Sequence, residues 1–379
     1  MKVLLLGEYS GVHTNLSKAL KEKGYLVDLI HNGDSYKEFD ADYLIKYNYY
    51  SSKSVFLNFF IRIYYVLLLY SGFQGFFQIF KYLKKIKALK NYDIVQIINP
   101  IFLSDFGFVV NMFVFLYLKF NNKKIFVCAL GDDFSYVFFC LKKGFKYSMF
   151  DRLGLKTIHR YLYQLHYVFG FMGVGYHYIV LSMVNGIIPG LYDYYAVYKH
   201  KKKCTRIIPI IVSQDYGKSS FSYPIKVFHG WQPRKEYRKG NDILHKVFLK
   251  LKENHPDKIN YEVVGGVKYA EYVKMYRNSD LFVDQCFSQD TGVNGLLGMA
   301  QGKVVISGFE KEVKDYYGIN YNPLLNVEPQ EDLMYQTIEN VILDLGTVEQ
   351  YSINAFRFIS DFHNSDYVVG LYNEVWNSY

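Results

Sequence analysis

The sequence predicts an α/β protein of two doubly wound, Rossmann-like domains that face each other across a cleft. Short apolar runs alternate with amphipathic segments along the chain, which is the pattern of repeated βα units. The alternation stops once, in VSQDYGKSSFSYP (residues 212–224), and then resumes. A chain of 379 residues is also too long for one ordinary core, so two domains are expected.

The first series of elements predicts a domain over residues 1–213. KVLLLGE is almost continuously apolar, as expected for a parallel strand buried on both faces. GVHTNLSKALKEKG follows as an amphipathic helix ended by Gly24, and YLVDLIHNG is the next predicted strand. Later strands of the same domain are predicted in DIVQIINP, KKIFVCALGDDF, YIVLSM and RIIPIIV.

A second series predicts a domain over residues 222–359. Strands are predicted in IKVFHGW, NYEVVGG, DLFVDQC and KVVISG, and helices in NDILHKVFLKLKENH, AEYVKMYRNS and VNGLLGMAQG. Residues 360–379 form a predicted final helix with an aromatic face, which we expect to pack back on the first domain. Such folds bind ligands at the carboxyl ends of their strands, so the expected site is the cleft between the sheets.

Positive charge is concentrated in the first domain. Residues 1–213 contain 27 Lys and Arg against 13 Asp and Glu, whereas the remainder contains 17 against 22. A basic surface of this kind implies an anionic partner. The chain has no recognisable nucleic-acid-binding motif, and its basic residues alternate with long apolar runs. An anionic membrane surface is therefore the expected partner, and nucleic acid is not.

Residues 54–90, SVFLNFFIRIYYVLLLYSGFQGFFQIFKYLKKIKALK, combine aromatic residues and leucines with five lysines. One interpretation is a helix that lies in the membrane interface. The other is a pair of core helices followed by a solvated lysine tail. A membrane-spanning helix is the weaker alternative, because Arg62, Gly72, Gln74, Gly75 and Gln78 interrupt the apolar run.

Two further features predict a cytoplasmic protein, peripheral at the inner face of the cell membrane. The apolar run that opens the sequence is too short for the core of a signal peptide. The four cysteines are far apart and form no CxxC pair, which argues against a zinc cluster or a disulfide framework and favours a reducing compartment.

Three stretches, taken in order and spacing, carry a family resemblance. They are GEYSGVHTNLSKALKEKGYLVDL near the N-terminus, VFHGWQPRKEYRKG after the break, and GMAQGKVVISG. Together they resemble GT-B glycosyltransferases of the "group 1" retaining type (glycosyltransferase family 4), in which the third stretch reads EAMACGTPVI. The resemblance covers nearly the whole chain. It implies a nucleotide-diphosphate sugar as donor substrate, retention of anomeric configuration, no cofactor and no requirement for a metal ion.

The loop after IKVFHGW contains the candidate ligands for the donor phosphates. Arg234 and Lys239 follow a predicted buried strand and precede a predicted helix, where a guanidinium fork and an ammonium point charge can hold a diphosphate. Arg238 is a third candidate, for which phosphate binding and a solvated loop position are equally open. His229 ends the strand and is expected to line the cleft.

The turn TGVNG is the second candidate phosphate site. The free N–H groups and the dipole at a helix N-terminus favour an anion, so Gly292, Val293 and Asn294 are assigned to donor binding. A tight turn without a ligand is the alternative role for Gly292.

The paired glutamates of the family, E-x7-E, are degenerate in this chain. Aligning GMAQGK with the family's AMACGT puts the pair at Gln289 and Leu297. The resemblance implies that Gln289 binds sugar hydroxyls through its amide, whereas Leu297 offers a ribose no hydrogen bond. Asp290 is assigned to donor binding as well, and Asp284 and Gln285 are neighbours that can supply missing contacts.

Loops of the first domain supply the remaining candidates. ALGDDFSY ends a predicted strand and places Asp132 and Asp133 at the cleft, where a carboxylate can stabilise an oxocarbenium-like transition state. The alternative role is the N-cap of the following helix. For Asp132 the cap and the catalytic role are equally open, whereas for Asp133 the catalytic role is favoured. Ser10, Gly11 and His13 are assigned to an acceptor or phosphate loop, with a structural role as the alternative for His13.

These assignments predict a retaining glycosyltransferase that adds a sugar to a lipid-linked or polysaccharide acceptor in cell-surface polysaccharide assembly. A catalytically silent homologue that acts as a scaffold in a polysaccharide assembly complex is the alternative, and Leu297 is its main support. A membrane-interaction protein with similar α/β domains is the second alternative.

Overall fold

Two parallel sheets form the framework of the chain, of which this computed structural model describes residues 1–34, 39–214, 220–231, 236–265 and 274–379. Among these residues, the first sheet has the spatial order β3-β2-β1-β4-β5-β6 and the second has the order β11-β10-β9-β7-β8. The strands of the first sheet are β1 (Lys2–Leu6), β2 (Leu26–His31), β3 (Tyr43–Leu44), β4 (Ile94–Ile97), β5 (Lys124–Ala129) and β6 (Gly186–Pro189). Those of the second are β7 (Ile225–Gly230), β8 (Ile259–Val264), β9 (Leu281–Val283), β10 (Val304–Ser307) and β11 (Leu325–Asn326).

Both strand orders are doubly wound. In each sheet the order reverses beside the first strand, between β1 and β4 in one and between β7 and β9 in the other. All paired strands run parallel, with Val3 opposite both Val27 and Ile94, for example. The prediction of two doubly wound α/β units is therefore confirmed.

Helices cover both sheets because their apolar residues recur at helical spacing. Helix α1 (Val12–Glu22) buries Leu16 and Leu20, while Glu22 and Lys23 at its end are exposed. The helices that follow are α2 (Val55–Ser71), α3 (Leu83–Lys87), α4 (Phe108–Asn121), α5 (Phe134–Leu141), α6 (Leu162–Phe169), α7 (Gly173–Met183), α8 (Tyr192–Tyr198), α9 (Glu236–Lys239), α10 (Asn241–Asn254), α11 (Val293–Ala300), α12 (Lys311–Tyr317), α13 (Glu331–Ile342), α14 (Leu345–Phe362) and α15 (Ser365–Ser378). Across the described ranges, no helix combines the length and apolar character needed to cross a membrane.

Two predicted strands of the first domain are wrong. YIVLSM lies within helix α7, and the sixth strand is the shorter segment Gly186–Pro189. RIIPIIV, residues 206–212, belongs to neither sheet but runs buried between elements from both ends of the chain. Its Ile207 N–H donates to the Tyr316 hydroxyl at 2.7 Å, and its Ile210 carbonyl accepts from His363 Nδ1 at 2.7 Å. The run is apolar because it is covered on several sides, which periodicity does not distinguish from pairing in a sheet.

The C-terminal helix α15 packs against the first sheet. Trp376 is buried in one apolar cluster with Val3 and Leu5. Its indole N–H donates to Gln96 at 3.2 Å, and its carbonyl accepts from the Lys124 ammonium at 2.8 Å. The domain limits at residues 1–213, 222–359 and 360–379 stay predictions, and the predicted helix AEYVKMYRNS begins outside the described residues.

Candidate active site

The candidate site is a cavity of about 520 Å³ between the carboxyl ends of the two sheets. Residues that follow β1 and β5 line one side, and residues of α9, of the loop after β9 and of the start of α11 line the other. The strand order of each sheet reverses beside β1 and beside β9, and the loops that follow these two strands line the cavity. Doubly wound folds bind ligands at such positions. The predicted position of the site therefore agrees with the place where the chain forms a large cavity.

Arg238 and Asp132 form an ion pair across this cavity. The guanidinium of Arg238, on α9, donates to both carboxylate oxygens of Asp132, at 2.7 and 3.0 Å. Asp132 follows β5, so the pair joins a loop of the first sheet to a helix of the second. The Asp132 charge raises the pKa of Arg238, which stays protonated. Sequence reasoning gave Arg238 no preferred role, because a basic residue in a loop carries no sign of its partner.

Lys239 lies beside Arg238 and also faces the cavity. Its ammonium donates to Asp284 Oδ1 at 2.6 Å, and the Asp284 side chain is almost fully buried. Within the described part of the chain, Asp284 Oδ2 is buried and has no hydrogen-bond partner. The Lys239 ammonium has three N–H donors and the Asp284 carboxylate keeps a free acceptor, so both retain capacity for a polar ligand.

The amino end of α11 opens on the same cavity, as predicted for Gly292, Val293 and Asn294. Its N-cap residue, Gly292, has no side chain, and among the described residues no side-chain cap is formed, which leaves its first amides to a ligand or to water. Gly292 has φ −80°, and a Cβ added there would lie 3.6 Å from Asp284 and Gln285. The backbone turn therefore does not demand glycine, and its effect is to leave space beside Lys239 and Asp284.

Asp193 and Asp290 connect the two sheets at the edge of this cavity. Asp193, in α8, accepts from the backbone N–H groups of Gln289 and Asp290 at 2.9 and 3.1 Å. Asp290 in turn accepts from the N–H of Tyr192 at 2.9 Å. Burial and the charge of Asp290 raise the pKa of Asp193 to about 7, and burial raises that of Asp290 to about 6.

Asp290 thus lines the cavity as assigned, but its oxygens are already engaged with backbone amides. Sequence reasoning missed Asp193. Its only local sign is an acidic residue in the first turn of a short helix, and such residues are common.

The two positions of the degenerate glutamate pair lie outside the cavity. The Gln289 amide donates to the Tyr147 carbonyl at 3.2 Å, so this amide is already engaged within the protein. Leu297 is 37% exposed on α11 and does not line the cavity. The register predicted from GMAQGK therefore places neither side chain at the candidate site.

Asp133 is also placed differently from the expectation. Its carboxylate caps α5 by accepting from the Tyr136 N–H at 2.8 Å, and it accepts from the Tyr198 hydroxyl on its other oxygen. The group is 1% exposed and lies outside the cavity. Of the two adjacent aspartates, Asp133 is the helix cap and Asp132 is the one that reaches the cleft. The sequence alone had favoured catalysis for Asp133 and had left a cap and catalysis equally open for Asp132.

The two predicted histidines are structural in their contacts. His229 bonds to the Tyr261 hydroxyl at 2.7 Å and to the Asn241 amide at 2.8 Å, inside the second half of the chain. His13 bonds through Nδ1 to the Gly7 carbonyl at 2.8 Å. Burial lowers the pKa of each to about 3, so both are neutral. Neither lines the cavity, which corrects the expectation for both residues.

The first loop reaches the cavity through Ser10 and Tyr9, not through Gly11. Gly11 has φ +89°, where a side chain is strained, and its N–H donates to Glu8 Oε1 at 2.9 Å. Its glycine thus serves the turn into α1. Arg234, assigned to the donor phosphates, lies outside the described residues.

Tyrosines form a large part of the cavity wall. They are Tyr9, Tyr136, Tyr163, Tyr167 and Tyr194. Their rings add apolar area and polarisable faces, and their hydroxyls add donors and acceptors, which is the mixed surface that a sugar ring binds. Sequence reasoning did not select them, because 39 tyrosines spread along the chain hide a local cluster.

Comparison with known proteins rests on the fold. No family model and no curated protein matches the sequence. Among solved structures, the chain is similar over 100% of both chains to sucrose-phosphate synthase from Thermosynechococcus elongatus, with a TM-score of 0.56 and 13% identity. It is similar to the same extent to Anabaena HepE in complex with UDP and glucose, with a TM-score of 0.57 and 12% identity. A glycosyltransferase from Rickettsia africae matches with a TM-score of 0.55 and 16% identity, over 100% of this chain and 97% of that one. These structures and the two facing doubly wound units identify the fold of this chain as GT-B.

Proposed function

We propose that the protein is a retaining glycosyltransferase that moves a sugar from a nucleotide-diphosphate donor to a lipid-linked or polysaccharide acceptor. One observation carries the proposal. Lys239, Arg238 and the uncapped amino end of α11 all lie on one cavity between two facing sheets. Anabaena HepE, a protein of similar fold, is solved with UDP and glucose, which supports a nucleotide sugar as the ligand class.

The donor diphosphate would bind beside Lys239 and the start of α11. Asp284 takes one of the three donors of the ammonium, and the others can reach phosphate oxygens. The free amides and the dipole of α11 add favourable electrostatics for the same anion. Asp284 would then hold Lys239 in place, and its free oxygen could accept a hydroxyl of the sugar or the ribose.

Arg238 would stabilise the charge that develops on the leaving phosphate. Two of its five N–H donors are used by Asp132, and the rest remain for a ligand. Groups held in position before the reaction stabilise such charge without reorganisation. Asp132 would act here as the positioning residue of Arg238. Retention follows if the incoming hydroxyl bonds to the anomeric carbon on the face from which the diphosphate leaves, while the leaving phosphate accepts its proton. Transfer then needs no protein nucleophile and, we propose, no metal ion.

The acceptor would enter from the tyrosine-lined side of the first half. Tyr9 and Tyr163 offer ring faces and hydroxyls to a saccharide. The positive charge of residues 1–213 suits an acceptor held at an anionic membrane. It supports the proposal that the protein acts in the cytoplasm, at the inner face of the cell membrane, in cell-surface polysaccharide assembly.

A scaffold without catalytic activity is the second candidate function. The observation that favours it is the position of Gln289, whose amide is occupied by the Tyr147 carbonyl, together with Leu297 outside the cavity. A scaffold would share the fold and the basic first half, but it would not need a diphosphate site.

A thermal-shift screen against UDP-, GDP-, ADP- and CMP-sugars separates the two functions. We expect one base to stabilise the protein, by about 2–3 kcal/mol at a donor concentration near a hundred times its Kd. The stabilising donor is then tested for sugar transfer or slow hydrolysis. If none of the four nucleotides shifts the melting temperature, the glycosyltransferase proposal is wrong and the scaffold is favoured.

A further inference from the structure

Helix α2 is an apolar helix that the described part of the chain covers only partly. Its 17 residues include a single charged side chain, Arg62, yet none of the 17 is buried. Phe56, Phe59, Ile63 and Leu67 recur at helical spacing and form one stripe. They are 75%, 59%, 42% and 64% exposed, respectively. A surface helix in contact with water normally exposes its polar residues, whereas α2 exposes an apolar stripe. Exposed apolar surface of this kind indicates an interaction partner.

Two hydrogen bonds attach the second half of α2 to the protein. The Tyr65 hydroxyl accepts from the Tyr50 N–H at 2.6 Å, and the Tyr70 hydroxyl donates to the Leu162 carbonyl at 2.9 Å. No residue of the helix is buried. The sequence alternative of two core helices is therefore wrong for α2.

The exposed aromatic surface continues beyond the end of α2. Phe73, Phe77 and Phe80 each contact the ring of Phe76 and are themselves exposed. The Phe171 N–H donates to the Tyr70 carbonyl at 2.7 Å, and the Phe171 ring is 60% exposed. We call these residues and the stripe of α2 the apolar face: Phe56, Phe59, Ile63, Leu67, Phe73, Phe77, Phe80 and Phe171.

A lysine cluster follows the apolar face directly. Lys81, Lys84, Lys85, Lys87 and Lys90 are all exposed, and they start at the residue after Phe80. Apolar side chains beside several lysines match the boundary of an anionic bilayer, which offers acyl chains and negative headgroups together. A second copy of the chain would instead bring a cluster of the same sign close to this one, which is unfavourable.

The apolar face also adjoins the mouth of the cavity. Leu162, which accepts the bond from Tyr70 of α2, is followed directly by Tyr163, and Tyr163 lines the cavity while remaining 46% exposed. A bilayer in contact with the apolar face would therefore lie next to the entrance through which the acceptor is proposed to enter.

We infer that α2 and the segment through Lys90 lie in the plane of an anionic bilayer, with the apolar face inserted and the five lysines at the headgroups. A protein bound in this way presents its cavity to substrates anchored in the membrane. The inference rests on the proposed function only for the nature of the acceptor. Lipid binding itself needs no nucleotide sugar.

Sedimentation with vesicles tests the inference. One vesicle type is pure phosphatidylcholine, and the other contains an equal amount of phosphatidylglycerol. We expect binding to the anionic vesicles, a strong decrease at about 1 M salt, and weak binding to phosphatidylcholine. Phe56→Ser/Phe59→Ser/Ile63→Ser should weaken binding to the anionic vesicles by at least about tenfold, because each serine removes a large side chain from the acyl region.

Matched variants on the second half of the chain serve as controls. Leu249→Ser/Leu333→Ser/Leu343→Ser replaces three residues that are also exposed, and binding should be unchanged. For the charges, Lys84→Gln/Lys87→Gln/Lys90→Gln should weaken binding by about tenfold or more, whereas Lys246→Gln/Lys250→Gln/Lys252→Gln, which are equally exposed on α10, should not.

The inference is overturned if the serine variant at α2 binds anionic vesicles as the native chain does, or if native binding ignores lipid charge. It is also overturned if light scattering shows a dimer that this variant converts to a monomer without loss of lipid binding, because a second copy would then cover the face. Folding is checked by the melting temperature, and nucleotide-sugar binding by the same variant in solution should be retained. If the native chain binds anionic vesicles but none of the nucleotide sugars, the proposed function alone is contradicted.

Discussion

We expect the carboxyl groups of Asp193 and Asp290 to make the contact between the two halves dependent on pH, and Asp193→Asn tests this. Asp193 is buried, and this burial together with the charge of the neighbouring Asp290 raises its pKa from 3.8 to about 7. A carboxyl group with a raised pKa binds its proton more tightly in the folded chain than in the unfolded one. The contribution of Asp193 to the stability of the folded chain is therefore greatest below pH 4, and it is lost as the pH rises from about 4 to 7. The rise in the pKa of Asp193 corresponds to a loss of about 4 kcal/mol in the free energy of unfolding over that pH range.

The Asp193→Asn variant has no ionisable group at this position, so this pH dependence should disappear from it. The amide oxygen of the new side chain can accept from one of the two backbone N–H groups, at Gln289 or Asp290, while the other loses its acceptor. An unsatisfied buried N–H costs about 1–3 kcal/mol. We therefore expect the variant to be less stable than the native chain by about that amount near pH 5. Near pH 8, where the native chain bears the ionised carboxylate, the deficit should vanish or reverse.

Urea unfolding at a series of pH values between 5 and 8 measures the effect as a difference in free energy of unfolding. Asp315→Asn is the control, because Asp315 is exposed on α12, and its curve should run parallel to that of the native chain. Parallel curves for Asp193→Asn and the native chain would show that the raised pKa does not control the contact. The reasoning from burial and the paired charge would then be refuted.

Three further predictions concern the candidate site. Lys239→Met/Asp284→Asn should weaken UDP binding by about ten- to a hundredfold in calorimetry, because it removes a charge-assisted phosphate contact. The control Asp284→Asn keeps the ammonium and should bind UDP as well as or better than the native chain. Equal affinities in all three proteins would contradict the phosphate role of Lys239. Asp133→Ala should lower the free energy of unfolding by about 1–3 kcal/mol through loss of the α5 cap, with no change in UDP affinity. A loss of UDP affinity without a loss of stability would instead indicate that Asp133 acts in the candidate site. Turnover of the donor identified in the nucleotide screen should be unchanged by EDTA, with added Mg²⁺ as the control, and loss of activity that Mg²⁺ restores would contradict metal independence.

The parallel strands were predictable because burial on both faces leaves a strong signal. The β1, β4 and β5 segments are short, apolar and followed by polar loops, and they could be placed from the sequence. YIVLSM and RIIPIIV carry the same signal for other reasons. The first is part of a buried helix, and the second is a connection covered from several sides. Periodicity reports that a segment is enclosed, but not whether a neighbouring strand or a helix encloses it.

The candidate site was predictable as a place more than as a set of side chains. Strand ends and a glycine-containing turn located the cleft, and Lys239, Gly292 and Asp132 reached it. Sequence could not decide between Asp132 and Asp133, because adjacent side chains point in different directions according to which one caps the next helix. Asp193 was missed since its role depends on amides nearly a hundred residues away.

Lys239 and Arg238 differ in what holds them, and on the proposed function this would divide their roles. Lys239 is paired with Asp284, which belongs to the same half of the chain, so its position does not depend on how the halves meet. Arg238 is paired with Asp132 from the other half, so its guanidinium is fixed only while the cleft is closed to the distance seen here. On the proposed function, a diphosphate would be captured by Lys239 and α11 in an open cleft, whereas Arg238 would reach its position on closure. Charge on the leaving group would then be fully stabilised only when the acceptor side is in place, which favours transfer to the acceptor over loss of the sugar to water.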